Sequence, residues 1–359
     1  MDTPNSRAAE LRSLFLSVIA SSSDNVDGIL LSGGLDTSII ADAGTSILGL
    51  TTGVTVVCGE AGTSPDEPYA ISIAKANNLS HRIVRVPDPL DLVDDAPGGL
   101  LDLCVRTLCT FDPMELRNAV VIARGLKECQ NAGLRVVVTG DGADELFAGY
   151  SFLASMQPGK LKRYIRRLAQ PNAMRFCAGP LAKVLGLDIL QPYLDPRIVE
   201  FALTCRKQEL VGTDEGGMMH GKWILREAFP EAHSRWRKKD PIEIGSGTTV
   251  LPKVFEKRCD QTKVEQEIQN IAQRDRVKIR DAEHLHYYRV FKRAFGLLPK
   301  NDQPTQFNCP VARYASDPCR ACGFQLERVD QFFCVVCGEW PARDGGPPRD
   351  DQEGDELDI

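Results

Sequence analysis

Long apolar runs are missing from this chain: none approaches the ~20 residues that a bilayer-spanning helix needs. The opening Met-Asp-Thr-Pro-Asn-Ser-Arg has neither a basic segment nor an apolar one behind it. These absences exclude a membrane-spanning helix and predict no secretory leader, so the expected location is the cytoplasm. No segment recurs at a fixed period, which excludes a solenoid. An excess of one charge is also missing from most of the chain. The formal total is −6, but Asp344, Asp350, Asp351, Glu353, Asp355, Glu356 and Asp358 against Arg343 and Arg349 put −5 of it in residues 342–359. The body is therefore near neutral, and its net charge points to no class of partner. The last stretch, 341–359, has almost nothing apolar to bury and is expected to be a disordered acidic tail.

What the chain has is length and thiols. Its 359 residues suffice for a full-sized core plus appendages. Twelve cysteines without a secretory leader point to reduced thiols and metal ligands, not a disulfide framework.

Apolar spacing predicts a helix over 5–20, with Leu11, Leu14, Phe15, Val18 and Ile19 on one face. Strands are predicted over 26–30, 51–58, 82–86 and 134–139, with helices over 66–77 and 113–129 between them. This βαβ rhythm predicts a doubly wound parallel sheet with its chemistry at the carboxyl ends of the strands. Beyond residue 150 strand signals fade. Residues 161–168, 196–205, 218–229 and 264–295 read as helices, so the second half is expected to be mostly helical. The proline-containing stretch 298–318 reads as a linker.

Directly after the first strand comes Leu31-Ser32-Gly33-Gly34-Leu35-Asp36-Thr37-Ser38. Backbone N–H groups at Gly33 and Gly34, unhindered by Cβ atoms, can close on phosphate oxygens at a helix N-terminus. Ser32 and Ser38 can add hydrogen bonds, and Asp36 can hold Mg²⁺. No Gly-Lys-Ser/Thr follows, so this is not the usual phosphate loop of kinases and GTPases. A second glycine- and acid-rich turn, Thr139-Gly140-Asp141-Gly142-Ala143-Asp144-Glu145-Leu146-Phe147-Ala148-Gly149-Tyr150, leaves the fourth strand. Its acids need a cation if they face a nucleotide, and Asp144 is the expected Mg²⁺ partner of Asp36.

The first turn resembles the PP-loop of the ATP pyrophosphatase superfamily, whose members cleave ATP between the α and β phosphates. The second resembles the Ser-Gly-Glu-Gly-Ser-Asp-Glu-Leu-Phe-Gly-Gly-Tyr segment of asparagine synthetases. Further segments are similar to that family in order. They are Gly59 to Glu67, Gln191-Pro192-Tyr193-Leu194-Asp195, Lys222-Trp223-Ile224-Leu225-Arg226-Glu227-Ala228-Phe229, and Trp236-Arg237-Lys238-Lys239-Asp240-Pro241 with the trailing Gly245-Ser246-Gly247.

The resemblance implies that Leu31 and Cys58 flank adenine and that Thr139 and Gly140 contact the nucleotide. It also implies that Asp141 influences acyl-adenylate formation and that Lys239 stabilises departing pyrophosphate. The implied activity is an ATP-dependent amide-forming ligase that adenylates aspartate or a related carboxylate, then amidates it with ammonia or another amine. The family's N-terminal glutaminase domain exceeds the 27 residues that precede Gly28. Nitrogen is therefore expected from free ammonia, a separate glutaminase or another amine. Asp141 stands where the synthetases carry the longer Glu, which bears on the acceptor. Two other readings stay open: a PP-loop enzyme that modifies tRNA bases and uses nucleic acid, and a non-catalytic adenine nucleotide-binding protein.

Two Cys-x-x-Cys-Gly knuckles, at Cys319/Cys322 and Cys334/Cys337, have the spacing of a structural Zn²⁺ site. The expected organisation is a PP-loop domain over 1–297, a linker over 298–318, a zinc ribbon over 319–340 and the acidic tail. Lys160, Lys162, Arg163, Arg166 and Arg167 form a basic run with no matching motif, read here as surface.

Overall fold

Five strands form one sheet: β1 (Gly28–Leu30), β2 (Thr52–Cys58), β3 (Ser80–Val86), β4 (Val136–Val138) and β5 (Asp188–Leu190). A computed structural model supplies these coordinates and describes residues 4–22, 26–170, 173–238, 240–296, 298 and 308–345. Lys239, residues 299–307 of the expected linker and residues 346–359 of the expected tail lie outside the described residues.

The sheet order is β3-β2-β1-β4-β5. The pairs β1–β2, β1–β4 and β4–β5 run parallel. β3 begins beside the start of β2, where Ser80 N donates to Thr51 O at 2.8 Å. Every residue of β2 is buried, as a strand covered on both faces requires. The chain runs outward from β1 through β2 and β3, then returns to lay β4 against the other side of β1. The strand order therefore reverses between β1 and β4, and in open α/β sheets the crevice at such a reversal is where ligands bind.

The residues fall into two compact units, Met1–Arg85 with Gly125–Gly247, and Val86–Arg124 with Thr248–Gly354. The first unit contains the sheet. Its helix Pro4–Ser21 buries Leu11, Phe15, Val18 and Ile19 at helical spacing. Helices Leu35–Leu48 and Glu67–Ala76 follow β1 and β2.

The second unit is helical, with Leu100–Leu108, Leu251–Arg258, Gln261–Asp275 and Ala282–Phe295. Phe111 is fully buried there, with ring centroids 5.0–5.4 Å from Phe291, Tyr288 and His284. Burying such a side chain is worth about 1.5–3 kcal/mol. Phe111 N also donates to Val336 O at 2.8 Å, which ties the cysteine-bearing segment to this core. Among the described residues, no helix is long and apolar enough to cross a membrane.

Three sequence expectations change. β5 completes the sheet although no strand was expected there; it has only three residues, too few for a visible period. Residues 218–229 are not one helix. β6 (Val211–Thr213) and β7 (Met219–Gly221) form an antiparallel hairpin, and only Trp223–Ala228 is helical. The break falls at Lys222, which adopts φ +55, a conformation that ends the strand and caps the helix. The expected helix over 264–295 is likewise two. Gln261–Asp275 ends at a left-handed Arg276, and Asp281 restarts the chain as an N-cap by accepting from His284 N at 2.8 Å.

Candidate active site

The two glycine-rich turns leave β1 and β4, neighbouring strands, and meet at the strands' carboxyl ends. The meeting is close: a Cβ on Gly140 would lie 3.0 Å from Asp36 Cβ and 3.3 Å from Thr37 Cγ2. Gly33 has φ +73, and a Cβ there would come within 2.8 Å of Ala70 N and Asp66 O. Only glycine lets the loop lie against helix Glu67–Ala76 in that conformation. Gly34 precedes the 14-residue helix Leu35–Leu48 as its N-cap, and its N–H donates to Ser32 Oγ at 3.3 Å. A helix N-terminus behind small residues is a ready site for an anion.

Asp36 lies in the first turn of that helix, and Asp144 in the first turn of the short helix Ala143–Leu146. Both carboxylates converge on one ammonium. Lys222 Nζ is 2.6 Å from Asp36 Oδ2 and 2.7 Å from Asp144 Oδ1, with its side chain only 3% exposed.

The backbone fixes this lysine. β7 delivers it, its N–H donates to Phe147 O at 2.9 Å, and Gly221 passes so close to Ala148 that a Cβ would sit 2.0 Å from Ala148 O. Gly149 is needed for the same reason: a Cβ there would lie 2.0 Å from Asp144 Oδ1 and 2.3 Å from Lys222 Cε.

Arg237 closes another side of the cleft. Its guanidinium donates to Asp66 Oδ1 at 2.5 Å and to Ser32 O at 3.2 Å, and packs 4.5 Å above the Tyr69 ring. Ser234 Oγ donates to Gly33 O at 2.6 Å, which anchors the loop from behind. Ser32, Gly34, Asp36, Gly149, Lys222 and Arg237 line the resulting cleft. Lys238 and Asp240, on either side of Lys239, line it as well.

The structure thus brings Ser32, Gly34, Asp36, Gly140 and Asp144 to one crevice. Ser38 stands apart, fully buried, with Oγ donating to Asp42 Oδ2 at 2.9 Å and accepting from Ser234 N at 3.2 Å. Leu31 and Cys58 sit at the carboxyl ends of adjacent strands, 1% and 3% exposed. Burial pushes the Cys58 thiol up to about 12, so it stays neutral.

Thr139 Oγ1 and Gln191 Nε2 donate to Asp141 Oδ2 at 2.7 and 2.8 Å. Burial, with the Asp36 charge adding to it, nevertheless holds Asp141 above the usual carboxylate range. Lys222, Asp66 and Arg237 were not singled out as site residues from the sequence. Each lies within a family-like segment, but such a segment does not say which member turns inward.

A separate cluster lies in the second unit. Cys319, Cys322, Cys334 and Cys337 are buried, with their sulfurs all within 4.8 Å of one another. Cys319 Sγ is 3.8 Å from Cys337 Sγ, and Cys322 Sγ is 3.6 Å from Cys334 Sγ. A tetrahedral ion with metal–sulfur bonds of about 2.3 Å requires sulfurs about 3.8 Å apart, so the donor set fits one. Gly323 (φ +75) and Gly338 (φ +72) close the knuckles, donating through N–H to Cys319 O and Cys334 O, each at 2.8 Å.

Residues 11–183 match the asparagine synthase family model. The chain is similar to glutamine-hydrolysing asparagine synthetases of Triphysaria versicolor (27% identical over 243 residues, 61% of this chain and 39% of that protein). Similar matches are found in Sandersonia aurantiaca (27%, covering 61% and 44%) and Arabidopsis thaliana (26%, covering 61% and 39%). The chain spans about two fifths of the length of these relatives.

Among solved structures it is similar to a U34-tRNA thiolase from Methanococcus maripaludis, with 12% identity, 83% of this chain and 85% of that one covered, and a TM-score of 0.31. An NMN synthetase from Francisella tularensis gives 13%, 67% and 99%, and 0.27. The segment that matches the asparagine synthase family model, residues 11–183, is thus the one that carries both glycine-rich turns.

Proposed function

We propose that this chain is an ATP-dependent amide-forming ligase that joins a carboxylate, aspartate or a related acid, to AMP with release of pyrophosphate, then passes the acyl group to ammonia or another amine. One observation carries the reading: two glycine-rich turns meet at the sheet's reversal point, with Asp36 and Asp144 converging on a single cation position.

A carboxylate resists amine attack because its oxygen leaves poorly, and transfer to AMP supplies a better leaving group. Gly33, Gly34 and the helix end behind them would hold the phosphates, while Leu31 and Cys58 border adenine and Thr139 and Gly140 touch the nucleotide. Lys222 keeps the two acids from repelling the triphosphate on approach. Asp36 and Asp144 would also hold Mg²⁺, which when bound neutralises charge on the phosphates. Lys239 would meet the pyrophosphate as its negative charge develops. Asp141, its carboxyl held above the usual range chiefly by burial, would face the acceptor and help select it. Nitrogen comes from ammonia, an amine or a separate glutaminase.

The test is a pyrophosphate-release screen of carboxylic acids with ammonium and ATP. AMP and pyrophosphate should form in equal amounts, and Asp36→Ala should lower the rate on the order of 10²–10³-fold. ADP with orthophosphate as the products would overturn the proposal.

We further infer that the four cysteines bind one structural Zn²⁺. All four positions around the ion are taken by sulfur, so the site fastens the fold and leaves none for a substrate.

A further inference from the structure

The basic run left aside as surface has more order than a solvated face needs. Between Leu146 and Leu187 the chain carries seven cations (Lys160, Lys162, Arg163, Arg166, Arg167, Arg175 and Lys183) and no acid, where its overall composition would place about six. Five of the seven fall on one helix, Pro158–Leu168.

That helix buries Leu161 and Ile165 against the core of the first unit. At 100° per residue, its cations gather on the opposite side. Lys162, Arg163 and Arg166 are exposed, and they make no ion pair among the described residues. Such a face repels itself, a cost that a folded protein retains when something anionic offsets it.

An aromatic platform borders this face. Phe152 is 50% exposed, with its ring centroid 5.9 Å from that of Tyr164, on the same helix as the cations. On its other side it stacks on Tyr150 at 5.8 Å, and Tyr150 Oη donates to Glu145 Oε1 at 2.6 Å. Tyr150 closes the second glycine-rich turn. The basic face and its exposed ring are thus built directly onto an element of the candidate active site.

Cations spaced along a helix beside an exposed aromatic ring match what a single nucleic-acid strand presents, a row of phosphates with bases free to stack. An acidic peptide would use the cations and leave the ring idle. A rigid duplex would keep its bases from Phe152. We propose that Phe152 and the outer face of helix Pro158–Leu168 bind single-stranded nucleic acid. This surface does not depend on the ligase reading, and its test involves no turnover.

The experiment is fluorescence anisotropy of the full chain with labelled single-stranded RNA of roughly 20 nucleotides, the same sequence as DNA, and the corresponding RNA duplex. Titrations run between about 50 and 200 mM salt. Both single strands should bind, with affinity falling steeply as salt rises; preference for one identifies the natural source. The triple variant K162E/R163E/R166E should bind at least about 30-fold more weakly at low salt, with the log–log salt slope reduced by about 2, near 0.7 for each phosphate no longer neutralised.

Phe152→Ala should weaken binding about tenfold and leave that slope unchanged, because stacking is not electrostatic. Since all four side chains are exposed, the variants should unfold at the wild-type temperature. Equal binding by the triple variant, salt-independent binding, or equal competition by polyglutamate would overturn the proposal. A duplex bound as tightly as the single strands would remove the stacking role of Phe152 and overturn it too.

Discussion

The two units each gather groups of like charge in a buried place, and they neutralise them in different ways. In the first, Asp36 and Asp144 meet around Lys222, a cation carried by the same chain. In the second, four thiols converge within 4.8 Å, and the cations beside them, Arg313 and Arg280, donate to the backbone oxygens of Cys322 and Cys337, not to sulfur. Both use glycines with positive φ to bring backbone close to the charged centre: Gly33 and Gly142 in one, Gly323 and Gly338 in the other. A site completed from within should persist when its ions are removed, whereas one completed from outside should fold with its ion and fail without it.

Metal removal probes that contrast with the largest expected effect. Structural zinc in small cysteine-rich domains contributes on the order of 10 kcal/mol. Chelation, or Cys322→Ser, should abolish hydrogen-exchange protection over 308–345 and release one zinc per chain. Amides of β1 and β2 should keep their protection. Loss of protection in both units together would show that they are not separately stabilised.

Lys222→Met makes the reverse test. It leaves two carboxylates facing each other with their shared ammonium gone, a loss of about 3–5 kcal/mol by urea unfolding of the first unit. Adding Asp144→Asn should recover part of that loss, because it removes one of the two facing charges. Zinc content should not change in either variant.

A smaller effect compares the two glycine contacts directly. A Cβ on Gly149 would sit 2.0 Å from Asp144 Oδ1, and one on Gly338 would sit 2.0 Å from Asp112 Oδ1. Gly338 also has φ +72, which L side chains rarely adopt. Each Gly→Ala change should therefore cost about 1–3 kcal/mol by overpacking. Gly338→Ala should cost the more of the two, and only Gly149→Ala should impair pyrophosphate release.

Titration gives the most gradual effect, spread over several pH units. Burial, with Arg280 nearby, lowers His284 to about 3, and Arg280 N donates to its Nδ1 at 3.2 Å. The imidazole is neutral in the folded state, while the unfolded chain takes up a proton near pH 6.5. Stability from this group is complete above pH 6.5 and declines as pH falls toward 3, by about 1.4 kcal/mol per unit at most. Helix Ala282–Phe295 should lose protection over that range. His284→Phe, with a ring that can still stack on Phe111, should flatten the dependence.

How much could be read in advance depended on how many residues carried each signal. β2 has seven buried positions, the helix Leu35–Leu48 follows an unmistakable glycine turn, and the sulfurs sit where their spacing suggested. β5, β6 and β7 have three residues each, too few for alternation to emerge. Lys222 was hidden for a different reason. It takes a left-handed conformation without being glycine, so the helical pattern of its neighbours ran straight through it. Its inward direction is set by Gly221 and Ala148, which lie 73 residues apart in the chain.

That hairpin has a practical consequence for anyone trimming the gene. The family match stops at residue 183, yet an edge strand of the sheet and the ammonium shared by Asp36 and Asp144 both come later. A fragment cut at that boundary would retain both glycine-rich turns and lose Lys222, the ammonium that touches both of their acids. Truncations meant to isolate this cleft should therefore extend past Gly247.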